Sequence, residues 1–259
     1  MRSILVMADR KPGSDARLEA ALEIARRGRG HLTVLVDTPV SRYIAMDPMG
    51  GSYVIAEALE KAREDDDAAA STLEARLARD DVPFDIVRSE ADPVNALATA
   101  ARLADLVVVS RSGGLAGELA LASHTPVLAL ADTPLPLPIR RACIAWDGGE
   151  QAAAALRAAV PLLRGCQVVK VISVAEKAGG FPATDALRYL SRHDIHADFE
   201  EHERRGSTEE TLAIAVTQAH AEVLVMGAYG KSRMREFLFG GVTAFFLGES
   251  GAPALLLAH

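Results

Sequence analysis

The stretch RACIAWDGGEQAAAALRAAVPLL, residues 141–163, has the pattern of a buried β-strand that turns directly into an amphipathic helix. A short apolar run is followed by Asp147, by two glycines and then by a segment rich in alanine and leucine. The stretch RSILVMADRKPGSDARLEAALEIA, residues 2–25, has the same order of apolar run, aspartate, glycine and helical pattern. The chain of 259 residues therefore contains one structural unit twice.

Two more pairs of segments extend this repeat. The segment ADLVVVSRSGG at 104–114 resembles AEVLVMGAYGK at 221–231. Similarly, SHTPVLAL at 123–130 resembles SGAPALLL at 250–257. Because each pair keeps an apolar run of strand length in the same order along the chain, we expect the two halves to share one fold.

A proline-rich segment separates the two halves. The sequence ADTPLPLPIRR, residues 131–141, carries three alternating prolines, which cannot continue a helix or a central strand. Such a segment is a semi-rigid extended linker. The predicted domains are residues 1–135 and residues 140–259.

Each half alternates short strands rich in valine, isoleucine and leucine with helical patterns, and this alternation predicts a parallel sheet covered on both faces. The fold class is α/β, with two tandem domains that each have a five-stranded parallel sheet flanked by helices. The predicted strands are 4–8, 32–36, 84–87, 106–109 and 127–130, then 142–145, 168–174, 197–201, 223–226 and 254–257. The predicted helices include a long one with Leu59, Ala62, Ala69, Leu73 and Leu77 on one side, one starting at Asp92-Pro93, and those at 150–163, 183–192 and 211–220. The sequence Ser-Thr-Glu-Glu at 207–210 predicts a capping box for the last of these helices.

The charge and composition of the chain restrict its partners and its location. The net charge is −7 and the isoelectric point is near 5.5, and an acidic chain without a lysine- and arginine-rich run is a poor match to nucleic acid. The first apolar run ends at Asp9, too early for a signal peptide, and no run approaches the roughly 20 apolar residues of a membrane span. We expect a cytoplasmic protein without membrane contact.

Metal and disulfide sites are not expected. Cys143 and Cys166 lie in strand-like stretches without a CxxC motif, which favours buried free thiols. The histidines form neither an HExxH motif nor a cluster with cysteines. The acidic run at residues 64–67 is interpreted as the solvated face of the long helix rather than as a metal site.

The segment GAYGKSRMREFLFGGVT, residues 227–243, contains Gly-Lys-Ser, which is the closing half of a P-loop. A Walker A motif would need its first glycine at position 225, which is Val225, at the end of an apparent buried strand. The loop would also have to follow the first strand of its domain, whereas this one follows the fourth. The dinucleotide fingerprint GxGxxG is also absent. Both motifs are therefore rejected.

A different glycine spacing in the same segment predicts a phosphate site. After the strand that ends at Met226 come Gly227 and Gly230, then nine residues, then Gly240-Gly241-Val242-Thr243. The first glycine pair can turn the chain and expose backbone N–H groups, and the second pair lies at an expected helix N-terminus. This position is at the carboxyl ends of the strands, where open α/β sheets bind their ligands.

This spacing, together with the opening IAWDGG, resembles the nucleotide loop and first strand of the universal stress protein family. The repeat resembles tandem members of that family, in which two domains pack as an intramolecular pseudo-dimer. The resemblance covers both halves but is strong only in the second. It implies an adenine-nucleotide α-hydrolase-like fold and, because some members bind ATP, a site for ATP or ADP with or without Mg²⁺.

The resemblance also implies roles for particular residues. Asp147 would contact the ribose, and a backbone group near Val174 would approach the adenine. The ribose-phosphate path would be lined by Met226, Gly227, Gly230, Gly240, Gly241, Val242 and Thr243. Lys231 and Arg233 would either meet phosphate charge or remain solvated loop residues. Trp146 would stack on adenine or, as is more common for an aromatic ending a buried strand, pack in the core.

Gly241 departs from the family pattern, which commonly has serine or threonine after the equivalent of Gly240. The lost hydroxyl removes one hydrogen bond, worth about 0.5–1.5 kcal/mol. We expect this change to weaken the site and not to abolish it, because the backbone N–H groups remain.

The first half lacks part of this loop. From Asp105 to Pro126 is 21 positions, whereas from Glu222 to Pro253, in the second half, is 31. The ten missing residues fall in the phosphate-loop region, so that Asp9 is kept without a phosphate partner. The first domain is therefore predicted to be degenerate, non-binding and structural in role.

Three functions are compatible with these observations. The first is a stress-response protein whose second domain binds ATP or ADP and acts as a regulatory or interaction switch. The second is a tandem interaction module that binds no nucleotide, and the third is a slow ATPase. The sequence shows no nucleophile with a credible base, so no catalytic residue is assigned. It names no protein partner and leaves open whether two chains associate.

Overall fold

The structure is a computed structural model that describes residues 1–9, 12–46, 52–175, 181–229 and 241–259. The strands of the first domain are β1 (Ser3–Ala8), β2 (His31–Asp37), β3 (Ile44–Met46), β4 (Ser52–Val54), β5 (Phe84–Ser89), β6 (Leu106–Ser110) and β7 (Val127–Leu130). Its helices are α1 (Ser14–Gly28), α2 (Ala56–Leu77), α3 (Pro93–Ala100) and α4 (Leu115–Ala122).

The second domain follows the same order. Its strands are β8 (Arg141–Ala145), β9 (Val168–Val174), β10 (Asp198–His202), β11 (Val223–Gly227) and β12 (Ala254–Ala258). Its helices are α5 (Glu150–Leu163), α6 (Ala183–Ser191), α7 (Thr208–Gln218) and α8 (Gly241–Gly248).

The main strands of both domains form one ten-stranded sheet in the order β10-β9-β8-β11-β12-β7-β6-β1-β2-β5. Within each domain the strands are parallel, which confirms the predicted fold class. The two halves meet where β12 pairs antiparallel with β7, with Leu256 opposite Leu128. Since β7 and β12 each have a neighbour on both sides, the outer strands of this sheet are β5 and β10.

Aligned acidic residues anchor the start of each domain. The Asp105 carboxylate accepts backbone hydrogen bonds from Arg2 N at 2.5 Å and Ser3 N at 3.1 Å. The Glu222 carboxylate accepts backbone hydrogen bonds from Arg140 N at 2.6 Å and from Arg141 N at 3.3 Å. The hydrogen bonds from Arg2 N and Ser3 N lower the pKa of Asp105. The matching contacts support the alignment from which the ten-residue difference was counted.

Each face of the sheet has its own hydrophobic core. Alternate residues of β1 point to opposite sides, so Ile4 and Val6 join one cluster and Leu5 and Met7 join the other. Helices α1, α2, α5 and α6 cover the first face, and α3, α4, α7 and α8 cover the second. Burial on both faces is why central strands such as β7 and β12 are continuously apolar, whereas the outer strands β5 and β10 carry charged residues.

The linker is packed against the body of the protein. Ile139 is buried, and Leu135 and Leu137 pack partly buried against the core below α1 and α5. The Cys166 thiol contacts the carbonyl oxygen of Ile139 at 3.2 Å. The proline-rich segment therefore contributes to the core that joins the domains.

The element bounds agree closely with the sequence pattern, with three differences. The sequence did not predict α4, and it did not predict the β3–β4 hairpin that follows a 3-10 turn at Val40–Tyr43. Helix α7 begins at Thr208, three residues earlier than predicted, and the predicted capping box of Ser207 and Glu210 is confirmed at its start. The N-cap at Asp92, with proline at the first helical position, is confirmed.

The structure describes neither a membrane span nor a metal cluster. None of the described helices is both long enough and apolar enough to cross a membrane. Within the same residues, no three histidine, cysteine or acidic side chains are grouped to hold a metal ion. Cys143 is buried and Cys166 half-buried, both as free thiols, and burial raises their pKa values to about 12 and about 11.

Candidate functional site

The candidate site lies at the carboxyl edge of the second domain's strands. β8 lies between β9 and β11 in the sheet, so the ends of these three strands are neighbours. Asp147 follows β8, Val174 ends β9, and Met226 and Gly227 end β11. The fold therefore brings these four predicted positions to one edge, as parallel strands require.

Asp147 is exposed and lies in a tight turn before α5. Its Oδ1 accepts a hydrogen bond from the backbone N of Gly149 at 2.8 Å. Gly148 adopts a left-handed conformation, with φ of 72°, which lets the chain turn directly into the helix. The carboxylate is thus oriented by its own turn and is open to solvent.

Trp146 packs in the core and is not placed as an adenine platform. Its side chain is only 6% exposed and belongs to the cluster that includes Ala186 and Leu190. The indole N–H donates to the carbonyl oxygen of Phe181 at 3.0 Å, and Phe181 N donates to Gly148 O at 3.0 Å. These bonds tie the start of the segment before α6 to the turn that carries Asp147.

Gly227 is required by helix packing. A Cβ atom at this position would lie 2.6 Å from Ala152 N and 2.6 Å from the carbonyl carbon of Gln151. The close approach is to the N-terminal turn of α5, whereas the sequence suggested that this glycine turns the chain and exposes N–H groups. Two residues later, Tyr229 has a φ of 61°, so the chain turns sharply as it leaves β11.

Helix α8 begins at Gly241, as the glycine spacing predicted. Gly241 is exposed, and a Cβ there would meet only Glu209 Oε1 at 4.0 Å, so a serine or threonine would fit. Val242 is half-buried, and Thr243 is 3% exposed. Thr243 is thus packed against the protein, whereas Gly241, the first described residue of α8, is exposed.

Four predicted positions lie outside the described residues. They are Gly230, Lys231, Arg233 and Gly240. Their roles remain predictions from the sequence.

The corresponding aspartate of the first domain is held by a buried arginine. Arg17 is 0% exposed, and its guanidinium donates to the Asp9 carboxylate and to Pro12 O at 2.9 Å. Arg17 is the fourth residue of α1, and the fourth residue of α5 is Ala153. The second domain therefore has no arginine at this position to engage Asp147.

The loop after the fourth strand also differs between the domains. Four residues, 111–114, lie between β6 and α4, whereas 13 residues, 228–240, lie between β11 and α8, and of these the structure describes 228 and 229. The segment between the fourth strand and the next helix is therefore nine residues shorter in the first domain. This is the region in which the sequence comparison placed the ten-residue difference. Gly113 and Gly114 both have positive φ, 85° and 81°, and start α4 at once.

Arg111 in this shortened loop contacts the second domain. Its Nη1 donates to Ala252 O at 2.5 Å and Pro253 O at 3.1 Å, and its Nη2 donates to Ser250 O at 3.1 Å. Burial lowers the pKa of this guanidinium, opposed by Glu249 and Asp132. The sequence alone did not identify this role.

The first domain contains a cavity that the sequence also did not reveal. Its volume is about 550 Å³, and it lies at the carboxyl ends of β1 and β2. Asp66, from the acidic run assigned to a solvated face, lines it and accepts a hydrogen bond from Thr38 Oγ1 at 2.6 Å. The sequence could have indicated that Asp66 faces the protein, because it lies one helical turn from Ala62 and Ala69 on the predicted apolar side of α2.

Comparison with known proteins gives a consistent result. The sequence profile of the universal stress protein family matches residues 1–134 and 138–257. None of the curated proteins compared with the chain matches it.

Two solved structures illustrate the shared fold. A universal stress protein from Archaeoglobus fulgidus DSM 4304 is similar with a TM-score of 0.74 and 15% identity, covering 99% of this chain and 96% of that chain. A functionally unknown protein from Pseudomonas aeruginosa PAO1 is similar with a TM-score of 0.63 and 15% identity, covering 100% and 92%. At such identities the likeness concerns the fold of both domains together.

Proposed function

Because this chain belongs to the universal stress protein family, we propose that its second domain binds ATP or ADP and that the bound state acts as a regulatory or interaction switch. The observation that carries the proposal is the placement of exposed Asp147 at the same edge as the ends of β9 and β11. The exposed start of α8, at Gly241, adds a candidate phosphate site.

The start of α8 supplies the phosphate chemistry of this proposal. A helix N-terminus presents unpaired backbone N–H groups and the positive end of the helix dipole, and both favour an anion. Because Gly241 has no side chain and Thr243 is buried, the backbone carries this recognition. The exposed Asp147 carboxylate can accept hydrogen bonds from ribose hydroxyls.

One nearby charge opposes phosphate binding. The Oε1 atom of Glu209, in the first turn of α7, lies 4.0 Å from the position of a Cβ on Gly241. A carboxylate beside the start of α8 repels phosphate charge. We therefore expect an affinity lower than the backbone arrangement alone would give.

The first domain is proposed not to bind nucleotide. Its Asp9 carboxylate is engaged by buried Arg17, and the connection from β6 to α4 is nine residues shorter than its counterpart. Its cavity is lined by carboxylates, which repel a polyphosphate. One nucleotide per chain is the expected stoichiometry.

Two measurements on the full-length protein test this proposal. Mass spectrometry of small molecules released from the native protein should detect an adenine nucleotide, and calorimetric titration with ATP should give at most one site per chain. Asp147→Ala should weaken ATP binding by about 10- to 100-fold, because it removes an acceptor that carries charge. The matched variant Asp9→Asn should leave ATP binding unchanged.

Other outcomes would separate the alternatives. Two sites per chain, or a site that is lost with Asp9→Asn and kept with Asp147→Ala, would contradict the proposal. Absence of any nucleotide binding would leave the tandem interaction module as the better account. Steady-state release of phosphate by the wild-type protein would favour the slow ATPase.

A further inference from the structure

The cavity of the first domain has the size of a small-molecule site. Its volume of about 550 Å³ lies within the range of about 300–1,000 Å³ that is usual for ligand pockets. The wall is formed by the ends of β1 and β2, the 3-10 turn, α2, and the starts of α3 and α4. Several elements thus converge on one concave site.

Asp37, at the end of β2, is the unusual member of this wall. Both of its carboxylate oxygens are shielded from water and have no hydrogen-bond partner among the residues that the structure describes. The neighbouring Thr38 hydroxyl donates to Asp66 and not to Asp37. Buried carboxylates without a donor are rare in folded proteins, and they indicate a missing partner or a functional role.

The charges around the cavity favour a cation. Among the residues that the structure describes, one guanidinium, that of Arg42, lines the cavity. Five carboxylates line it as well: Asp9, Asp37, Asp66, Asp92 and Glu118. Arg17 neutralises Asp9, and backbone N–H groups of Val94 and Asn95 bind Asp92. The remaining excess is negative, so it repels polyphosphates and attracts positively charged groups.

We propose that this cavity binds a small organic cation, whose amino or guanidino group donates hydrogen bonds to Asp37. An ammonium group has three donors and no acceptor, which complements a carboxylate that can only accept. A bare metal ion is less suited, since no three metal-binding side chains are grouped among the described residues. This proposal is independent of nucleotide binding by the second domain.

The proposed binding depends on pH with a defined sign. Burial raises the pKa of Asp37 to about 6, Arg42 opposes this shift, and Asp66 and Asp92 reinforce it. A cation prefers the ionised carboxylate, so its affinity falls as the pH decreases through 6. From pH 7.5 to 5.5 the ionised fraction of Asp37 decreases about fourfold, and the association constant should follow.

Calorimetric titration of the full-length protein with three amines tests the proposal. The probes are putrescine, agmatine and spermidine, with uncharged 1,4-butanediol as control. At least one amine should bind saturably with one site per chain at pH 7.5, about fourfold more weakly at pH 5.5, and butanediol should not bind. Failure of all three amines to bind saturably at millimolar concentration overturns the proposal.

Two wall variants and one control variant locate the site. Asp37→Asn should weaken the binding by at least about tenfold and remove its dependence on pH between 5.5 and 7.5. Arg42→Gln should strengthen it, an outcome that structural damage does not produce. Asp198→Asn changes the same charge on exposed β10 and should have no effect.

The variants also separate specific binding from general attraction to an acidic protein. Equal weakening by Asp37→Asn and Asp198→Asn would overturn the proposal, and so would amine binding that is unchanged in Asp37→Asn. ATP titration of Asp37→Asn should match that of the wild type. A loss of ATP binding with intact amine binding would instead contradict the proposed function of the second domain.

Discussion

Both domains have an aspartate directly after their first strand, but the surroundings of the two carboxylates differ. Asp9 is held by Arg17, a fully buried arginine, whereas Asp147 is exposed and bonded to its own turn. At the fourth position of the helix that follows the aspartate, the first domain has Arg17 and the second has Ala153.

The loop after the fourth strand gives a second contrast. In the second domain 13 residues, 228–240, lie between β11 and α8, and of these the structure describes 228 and 229. In the first domain only residues 111–114 remain, and Arg111 crosses to backbone carbonyls of the second domain. The shorter loop thus joins the domains at the place where its counterpart is proposed to hold phosphate.

Breaking the Arg17–Asp9 pair should have the largest effect on stability. Arg17→Met leaves a nearly buried carboxylate without its main partner, and we expect a loss of about 3–5 kcal/mol in the free energy of unfolding. Urea denaturation followed by circular dichroism measures this change.

A double variant tests whether the loss arises from the pair. Arg17→Met with Asp9→Asn removes both charges, so it should recover a large part of the stability lost in Arg17→Met alone. If the free energy of unfolding of the single Arg17→Met variant lies within about 1 kcal/mol of the wild-type value, the pair does not stabilise the first domain as predicted.

A smaller loss is expected where α5 crosses the end of β11. In Gly227→Ala the new Cβ would collide with the backbone of Gln151 and Ala152 at 2.6 Å, which should cost about 1–3 kcal/mol. The aligned residue of the first domain is Ser110, which is buried and already has a Cβ atom. Ser110→Gly is therefore the matched control, because it relieves no collision.

Thermal unfolding of both variants measures this contrast. We expect a clear decrease of Tm for Gly227→Ala, from steric overlap, and a smaller one for Ser110→Gly, from backbone entropy and from the lost hydrogen bonds between Ser110 Oγ and Ser112. Equal effects would indicate that the two strand ends approach their helices equally closely. That result would contradict the packing difference between the domains.

Most elements of both domains were predictable because their cause is local, whereas α4 and the β3–β4 hairpin were not predicted. A strand buried on both faces must be continuously apolar, as at Leu106–Ser110, and the glycine spacing placed the start of α8 at Gly241. The contacts of Arg17 and Arg111 were not predictable, because they depend on where distant segments meet. Asp37 is similar, since a single acidic residue after a strand gives no sign that its carboxylate will be buried without a donor.

The smallest expected effect concerns the charge beside α8. Glu209→Gln keeps the shape of the side chain and removes a carboxylate close to the start of the helix, so repulsion of phosphate should decrease. A gain of about 0.5–1 kcal/mol, or about two- to fivefold in ATP affinity, is expected at low salt, with less at high salt.

The adjacent Glu210 provides the matched control for this variant. Its carboxylate belongs to the capping box of α7, where Oε2 accepts from Ser207 N at 3.0 Å, so Glu210→Gln removes the same charge from the next position. If calorimetry shows the same gain for both variants, the effect comes from net charge. A gain in ATP affinity that is confined to Glu209→Gln would place the phosphate at the start of α8. The phosphate site would then belong to the helix of the second domain that follows the longer segment after the fourth strand.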